Sequence, residues 1–194
     1  DIVRQAWALL AYRPFLDRFL RQAAVIMPTS VPYLESSGQL RRFAAKCECV
    51  PLAIDVKAMA PSAAEAAEAA RLRAAKKRPA IAFVGRLRYY KGLHVLLDAM
   101  REAANAEAWI VGTGPEEARL RRQAASLQAA GRVRFLGDLD DSAMKARLLA
   151  ADIYCLPAHL RAEAFGLNQV EAMACGLPVV STDVGGVGYV NRDG

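Results

Sequence analysis

Short apolar runs exchange regularly with helical segments after residue 78, and few folds accept such a pattern. Ala80-Ile81-Ala82-Phe83-Val84 is too short for a helix and closes on Gly85, which predicts a buried strand. Leu93, Leu96, Leu97 and Met100 then recur at helical spacing within residues 92–104. Residues 108–111 predict a second strand that ends in Gly112-Thr113-Gly114. Pro115 at a first helical position, with Glu116 and Glu117 behind it, predicts a helix to about Ala130, closed by Gly131. Residues 132–136 form a third expected strand. Asp141 or Ser142 is the expected cap of a helix carrying Met144, Leu148 and Leu149. Residues 153–156 are a fourth strand, stopped by Pro157; residues 165–175 are a helix, closed by Gly176; residues 178–181 are a fifth strand. Apolar strands joined by helices imply right-handed crossovers and a parallel sheet covered on both faces, hence an α/β doubly wound domain. Ligands on such sheets bind beyond the carboxyl ends of the strands, so the loops after the strands should carry the chemistry.

Residues 1–60 read differently. Ile2, Val3, Trp7, Leu10, Phe15 and Phe19 suit a helix broken near Pro14, and residues 24–27 and 47–50 suit two strands around a Ser30-capped helix. Residues 61–78 are rich in Ala and Glu and then basic, and predict a connecting helix. The expected organisation is therefore the last part of one domain over 1–60, a linking helix over 61–78 and a second domain over 79–194. Both ends read as cut, with Asp1 in first place and no signal-peptide pattern.

Composition narrows the function. With 54% hydrophobic and 24% charged residues among 194, the chain can bury a core, which excludes disorder. No apolar run reaches the ~20 residues that span a bilayer. Four Cys with a lone C-x-C, Cys47 and Cys49, make neither a disulfide scaffold nor a zinc ribbon, and read as idle thiols in a reducing cytoplasm. The net charge of +6 lies wholly in the first 78 residues, which hold 13 basic and 7 acidic side chains. That excess suits a solvated face, an anionic membrane surface or a charged acceptor. Nucleic acid is disfavoured, because the basic residues are not interleaved with stacking aromatics.

Three constellations carry chemistry. Gly85-Arg86-Leu87-Arg88-Tyr89-Tyr90-Lys91-Gly92 links a strand to a helix and presents an Arg fork and a Lys point charge, a set suited to a diphosphate or simply to a basic surface loop. Glu163 and Glu171 form an E-x7-E pair around Phe165-Gly166-Leu167, where a loop becomes a helix whose N–H groups can hold phosphate or sugar oxygens. Glu171 sits in an apolar stretch and needs a donor, for which two vicinal ribose hydroxyls would serve. Ser181-Thr182-Asp183-Val184-Gly185-Gly186 offers a third Gly-rich turn, an anion cradle or an ordinary turn.

With these residues in hand, the chain resembles the retaining, GT-B-fold glycosyltransferases of family 4 (glycosyl transferases group 1). The matching segments are Val84 to Gly92, Val111 to Pro115, Arg132 to Gly137, the E-x7-E pair, Glu171 to Gly186 and Val50 to Asp55. The resemblance implies a Rossmann-like C-terminal domain that binds a nucleotide-diphosphate sugar without a metal or other cofactor. It implies that Gly85, Arg86 and Lys91 meet the diphosphate, with Gly112 beside them. It further implies that Glu163 and the backbone of Phe165, Gly166 and Leu167 contact donor sugar and phosphates, that Glu171 holds the ribose, and that Leu136 and Gly137 border the base. Arg86, Lys91 and Glu163 would be the catalytic groups, through charge stabilisation of the leaving diphosphate and of the sugar. The acceptor would be lipid-linked or a polysaccharide, at a cytoplasmic location with peripheral membrane contact through the basic N-terminal part.

The chain departs from the family in lacking the acceptor pocket and first Gly-rich loop, and in placing Gly188-Tyr189 where an acidic residue is common. A donor-binding module without turnover therefore stays open. So does a metal-dependent transferase using Asp138 and Asp140 as a D-x-D site, although that segment runs into a helix cap. A dinucleotide oxidoreductase is disfavoured, because Gly112-Thr113-Gly114 lacks the third glycine of its fingerprint.

Overall fold

Helix α1 (Ala6–Gln22) opens the part of the chain described by the computed structural model, residues 6–191. It runs through Pro14 without the expected break. Its own Leu20 is buried, and Lys46 caps its end by donating to the carbonyls of Arg21 (2.6 Å) and Ala23 (3.0 Å). The expectations for Ile2 and Val3, and for the side chains of Trp7 and Leu10, lie outside the described residues. Helix α2 (Val31–Ser36) starts as expected at Ser30, whose Oγ accepts from the Tyr33 N–H at 3.2 Å. A 3-10 turn (Leu40–Lys46) follows. The two expected strands shrink to one parallel bridge, Ile26 with Cys47. A parallel pair gains length from flanking strands, and none flanks this one among the described residues.

The chain divides by contacts into two compact units, Asp1–Leu52 and Ala53–Gly194. In the second, α3 (Val56–Met59) is capped by Asp55, and α4 (Ala63–Ala75) by a reciprocal Ser62–Glu65 box. The helix expected over 61–78 is thus present as α4, inside the second unit.

The sheet follows. Strands β1 (Ala80–Val84), β2 (Glu107–Val111), β3 (Val133–Gly137), β4 (Ile153–Leu156) and β5 (Val179–Ser181) are all parallel in the order β3-β2-β1-β4-β5. This is the expected doubly wound α/β sheet. Between the strands run α5 (Leu93–Glu102), α6 (Glu117–Gln123), α7 (Ala125–Ala129), α8 (Asp141–Ala150), α9 (Leu167–Ala174) and, after β5, α10 (Val187–Val190). The core centres on Phe83, Trp109, Ile110, Leu97, Met100, Tyr154 and Leu156, each almost wholly buried. At roughly 1.5–3 kcal/mol per large apolar side chain, these residues outweigh the exposed ion pairs of the surface helices.

Two local expectations are corrected. The single helix expected from Pro115 to Ala130 is two, because the ladder is interrupted at Ala124, whose N–H divides between the Leu120 and Arg122 carbonyls. The cap of α8 is Asp140, one residue before the expected Asp141, with Oδ1 accepting from the Ala143 N–H at 2.8 Å. An Asp at that position satisfies one of the free N–H groups of the first turn. α4 is tied to α8 and its C-terminal loop by Lys145–Glu65 (3.3 Å), by Arg73 on the Leu149 carbonyl and by Lys76 on Asp152.

Candidate active site

The loop after β1 is shaped by backbone. The Gly85 N–H donates to the Val111 carbonyl at 3.0 Å, the Gly112 N–H to the Gly137 carbonyl at 2.6 Å, and the Leu87 N–H to the Thr113 carbonyl at 2.9 Å. The ends of β1, β2 and β3 are thereby knitted into one ledge. Buried Leu87 anchors the loop, and exposed Arg86 stands off it with its side chain in no hydrogen bond or ion pair to the described residues. A 3-10 turn (Tyr89–Lys91) leads to Gly92, at φ 70°, where α5 begins. A side chain at Gly92 would overlap the Pro157 carbonyl, so the loops after β1 and β4 meet only because glycine is there.

Lys91 turns inward. Its Nζ lies 2.5 Å from Glu163 Oε2, and both side chains are about nine-tenths buried. Glu163 Oε1 accepts from the Gly166 N–H at 3.1 Å, at the start of α9. Burial without such partners would be prohibitive for either charge. The structure thus joins Lys91, Glu163 and Gly166 in one network and leaves Arg86 outside it. Phe165 is buried, and its carbonyl accepts from Gln169 Nε2 at 2.9 Å; the same amide reaches the Val187 carbonyl at 3.2 Å. Gln169 locks the turn that aims the first N–H groups of α9. Its burial inside the E-x7-E segment went unread in the sequence, and a Gln among apolar helix residues was the available signal.

Glu171 is half-buried one turn into α9 and accepts from Asn168 Nδ2 at 3.3 Å. Burial holds its carboxyl above the ordinary carboxylate range, offset by the Asn168 hydrogen bond and reinforced by the charge of Asp141. Glu171 and Glu163 both act on buried Tyr154, whose OH donates to the Val84 carbonyl at 3.2 Å. The carboxyl pair and the β1 loop therefore belong to the same edge of the sheet.

A cavity of about 420 Å³ opens at the ledge, lined by Val84, Gly85, Arg86, Val111, Gly112, Thr113, Asp138, Leu139 and Met144. Of the residues expected near a base, Leu136 packs against the core and Gly137 gives its carbonyl to Gly112, while Asp138 and Leu139 face the cavity. In the turn after β5, Thr182 Oγ1 donates to the Ala158 carbonyl and the Asp183 carboxyl fills the space where a side chain at Gly188 would stand. Gly188 is thus a packing requirement of Asp183.

The two histidines form an aromatic cluster. His94 stacks on Tyr89 at 5.2 Å, His159 meets both rings edge-on at 4.9 and 4.8 Å, and Arg119 lies over Tyr89 at 5.7 Å. Burial, His159 and Arg119 together hold His94 below its ordinary pKa. All four cysteines are free thiols; burial pushes Cys155 up to about 11, which makes it inert.

Fold and site together define a parallel α/β domain that gathers cations, carboxylates and a helix start along the carboxyl edge of its sheet. The family profile described as glycosyl transferases group 1 matches residues 65–194, and the chain belongs to that family. It is 37% identical over its whole length to half of D-rhamnosyltransferase WbpZ from Pseudomonas aeruginosa, and 33% identical to 51% of O-antigen chain mannosyltransferase C from Escherichia coli. The chain thus spans about half the length of these curated relatives. Among solved structures it is similar to Anabaena Alr3699/HepE in complex with UDP and glucose, with a TM-score of 0.74 and 24% identity over 90% of this chain and 48% of that one.

Proposed function

We propose that this chain contains the donor-binding part of a retaining, metal-independent glycosyltransferase of family 4 with the GT-B fold, which moves a sugar from a nucleotide diphosphate to an acceptor. The observation that carries the reading is the order of groups along one sheet edge: unpaired Arg86 after β1, then the Lys91–Glu163 pair and the start of α9 after β4. In the transfer, the bond from the anomeric carbon to the diphosphate oxygen breaks, and negative charge grows on the leaving group. Arg86 and the first N–H groups of α9 stabilise that charge, and Lys91 adds a second cation oriented by Glu163. Glu163 lies beside the donor sugar, and Glu171, a half-buried carboxylate with a single side-chain donor, receives the ribose hydroxyls. The capping bond that engages Asp140 supports the metal-free reading over a D-x-D site.

The names of the two relatives support a deoxyhexose or hexose donor and an acceptor that is a growing polysaccharide or its lipid-linked precursor. Exposed Tyr12, Phe15 and Phe19 of α1, beside exposed Arg13 and Arg18, support a peripheral contact with an anionic membrane on its cytoplasmic side. No helix among the described residues is long and apolar enough to cross a membrane. A thermal-shift panel of UDP-, GDP- and ADP-sugars tests the reading. One nucleotide class should raise the melting midpoint, with or without EDTA, and Arg86→Ala and Glu171→Ala should abolish the rise. A rise that persists in both variants overturns it.

A further inference from the structure

Gln169 is wholly buried in α9, two residues before Glu171. Its main-chain N–H donates to the Gly166 carbonyl at 2.9 Å, only three residues back, so the first turn of the helix is tightened. The carbonyl of buried Phe165 must find another donor, and Gln169 Nε2 supplies it at 2.9 Å. The same Nε2 donates to the Val187 carbonyl at 3.2 Å, in α10. One amide thus ties the start of α9 to the element after β5. Gly166 leaves room for it: a side chain there would stand 2.9 Å from Nε2 and 2.6 Å from Leu156.

Two further contacts join the same loops. Thr182 Oγ1 donates to the Ala158 carbonyl, and a side chain at Gly185 would come within 3.4 Å of the Glu163 carbonyl. The Gly166 N–H donates to Glu163 Oε1, and Glu163 is the partner of Lys91. A continuous line of contacts therefore runs from Lys91 through Glu163, Gly166 and Gln169 to Val187. Chemistry fixes the direction of the Gln169 amide. Both groups at Nε2 are carbonyl oxygens, which only accept, so the nitrogen must face them. Gln169 Oε1 is buried without a partner. An apolar side chain would fill the same space without that cost, so the two donated bonds are the reason for an amide here.

We propose that Gln169 is a positioning residue for the donor diphosphate, which aims the first N–H groups of α9 and makes them move as one body with residues 187–190. This inference rests on the proposed function and deepens it, since the groups it aims are those that receive the leaving diphosphate. Gln169 is sealed from solvent and acts only through the backbone that it holds. Without its amide, the Phe165 and Val187 carbonyls lose their shared donor and turn toward others, and the first turn of α9 follows them. Small displacements of groups that meet a ligand's charge are costly, so the loss is read in binding.

Calorimetric titration of the 194-residue chain with UDP, GDP and ADP tests this, and the variants are then titrated with the tightest of the three. Gln169→Met keeps the length of the side chain and removes both donors; it should weaken binding about tenfold at every pH from about 5.5 to about 8. Gln169→Glu sets a carboxylate against two carbonyl oxygens near pH 8, and a carboxylic acid with one O–H to give near pH 5.5. Its deficit relative to the parent should be about tenfold or more at the higher pH and should shrink roughly threefold or more at the lower. Glu163, Glu171 and Asp183 are common to parent and variants, so the ratio reports residue 169. A packing role alone would give both variants the same flat deficit. Hydrogen exchange on the parent decides the matter even where a variant does not fold: the nucleotide should slow the amides of residues 166–170 and 187–190 together, by about threefold or more. Binding within about twofold of the parent in both variants, equal flat deficits, or protection at 166–170 without protection at 187–190 overturns the proposal. In each of these cases the donor-site reading stands if binding still depends on Arg86. If none of the three nucleotides binds, the donor-site reading falls and takes this inference with it.

Discussion

The Lys91–Glu163 contact and the cavity around Arg86 lie on the same edge of one sheet and are built in opposite ways. The first closes on itself: the ammonium is ion-paired with the carboxylate, whose other oxygen accepts from the Gly166 N–H, all in a buried place. The second stays open, with a guanidinium and a carboxylate that face a cavity and make no bond within the described chain. Desolvation explains the difference. A buried charge needs its partner inside the chain, whereas an exposed one is held in reserve by water at little cost. Changes in the first region should therefore be read mainly in stability, and changes in the second mainly in binding.

The sharpest way to break this comparison is Glu163→Ala. It leaves Lys91 buried and uncompensated and should cost roughly 3–5 kcal/mol in urea unfolding. The double change Lys91→Met with Glu163→Gln should recover much of that loss while donor binding stays lost. If Glu163→Ala unfolds like the parent, the pair is not the closed network described. Next in size is Arg86→Ala, expected to shift unfolding by less than about 0.5 kcal/mol and to weaken nucleotide binding by ~10–100-fold in calorimetry. A large stability loss there would erase the contrast.

The smallest effect concerns Glu171, which stands between the two kinds. Its carboxyl is raised above the ordinary value of 4.5 by burial. The folded state therefore holds this proton more tightly than the unfolded state, and stability falls as pH rises from about 4.5 through the raised value, then levels. Glu171→Gln should remove that part of the slope in ligand-free protein and lose ribose-dependent binding. An unchanged slope would place Glu171 with the solvated carboxylates.

Much of the second unit was legible before any coordinates. The apolar runs around Phe83, Ile110, Phe135, Tyr154 and Val180 are all strands, within a residue of the expected ends. The signal is cleanest in β1 and β2, where burial on both faces leaves an apolar run bounded by Gly or Pro. The first unit was less legible: its two expected strands are one bridge and its Pro14 break is absent, because pairing there depends on neighbours that local pattern does not specify. The cap at Asp140 and the break at Ala124 were missed because adjacent Asp and Ser residues, or a run of Ala, offer several nearly equal local solutions. In the site, residue types at the strand ends were readable, Asp138 among them as half of a D-x-D pair, yet its place at the cavity and the burial of Gln169 were not, since nothing local marks which side chain enters a cavity or a core.

Taken alone, the order of residues determined the alternation of strand and helix, and with it the edge of the sheet where charged loops gather. Both are set by hydrophobic period and by glycine and proline, which act within a few residues. Which charges pair and which stay open was decided by tertiary structure alone. β1 lies beside β4, so Lys91 meets Glu163 out of water; β3 lies two places away, so Asp138 faces Arg86 only across the cavity. Strand adjacency sets distance and burial, and those two quantities, rather than residue type, fix the strength of a charge's interactions.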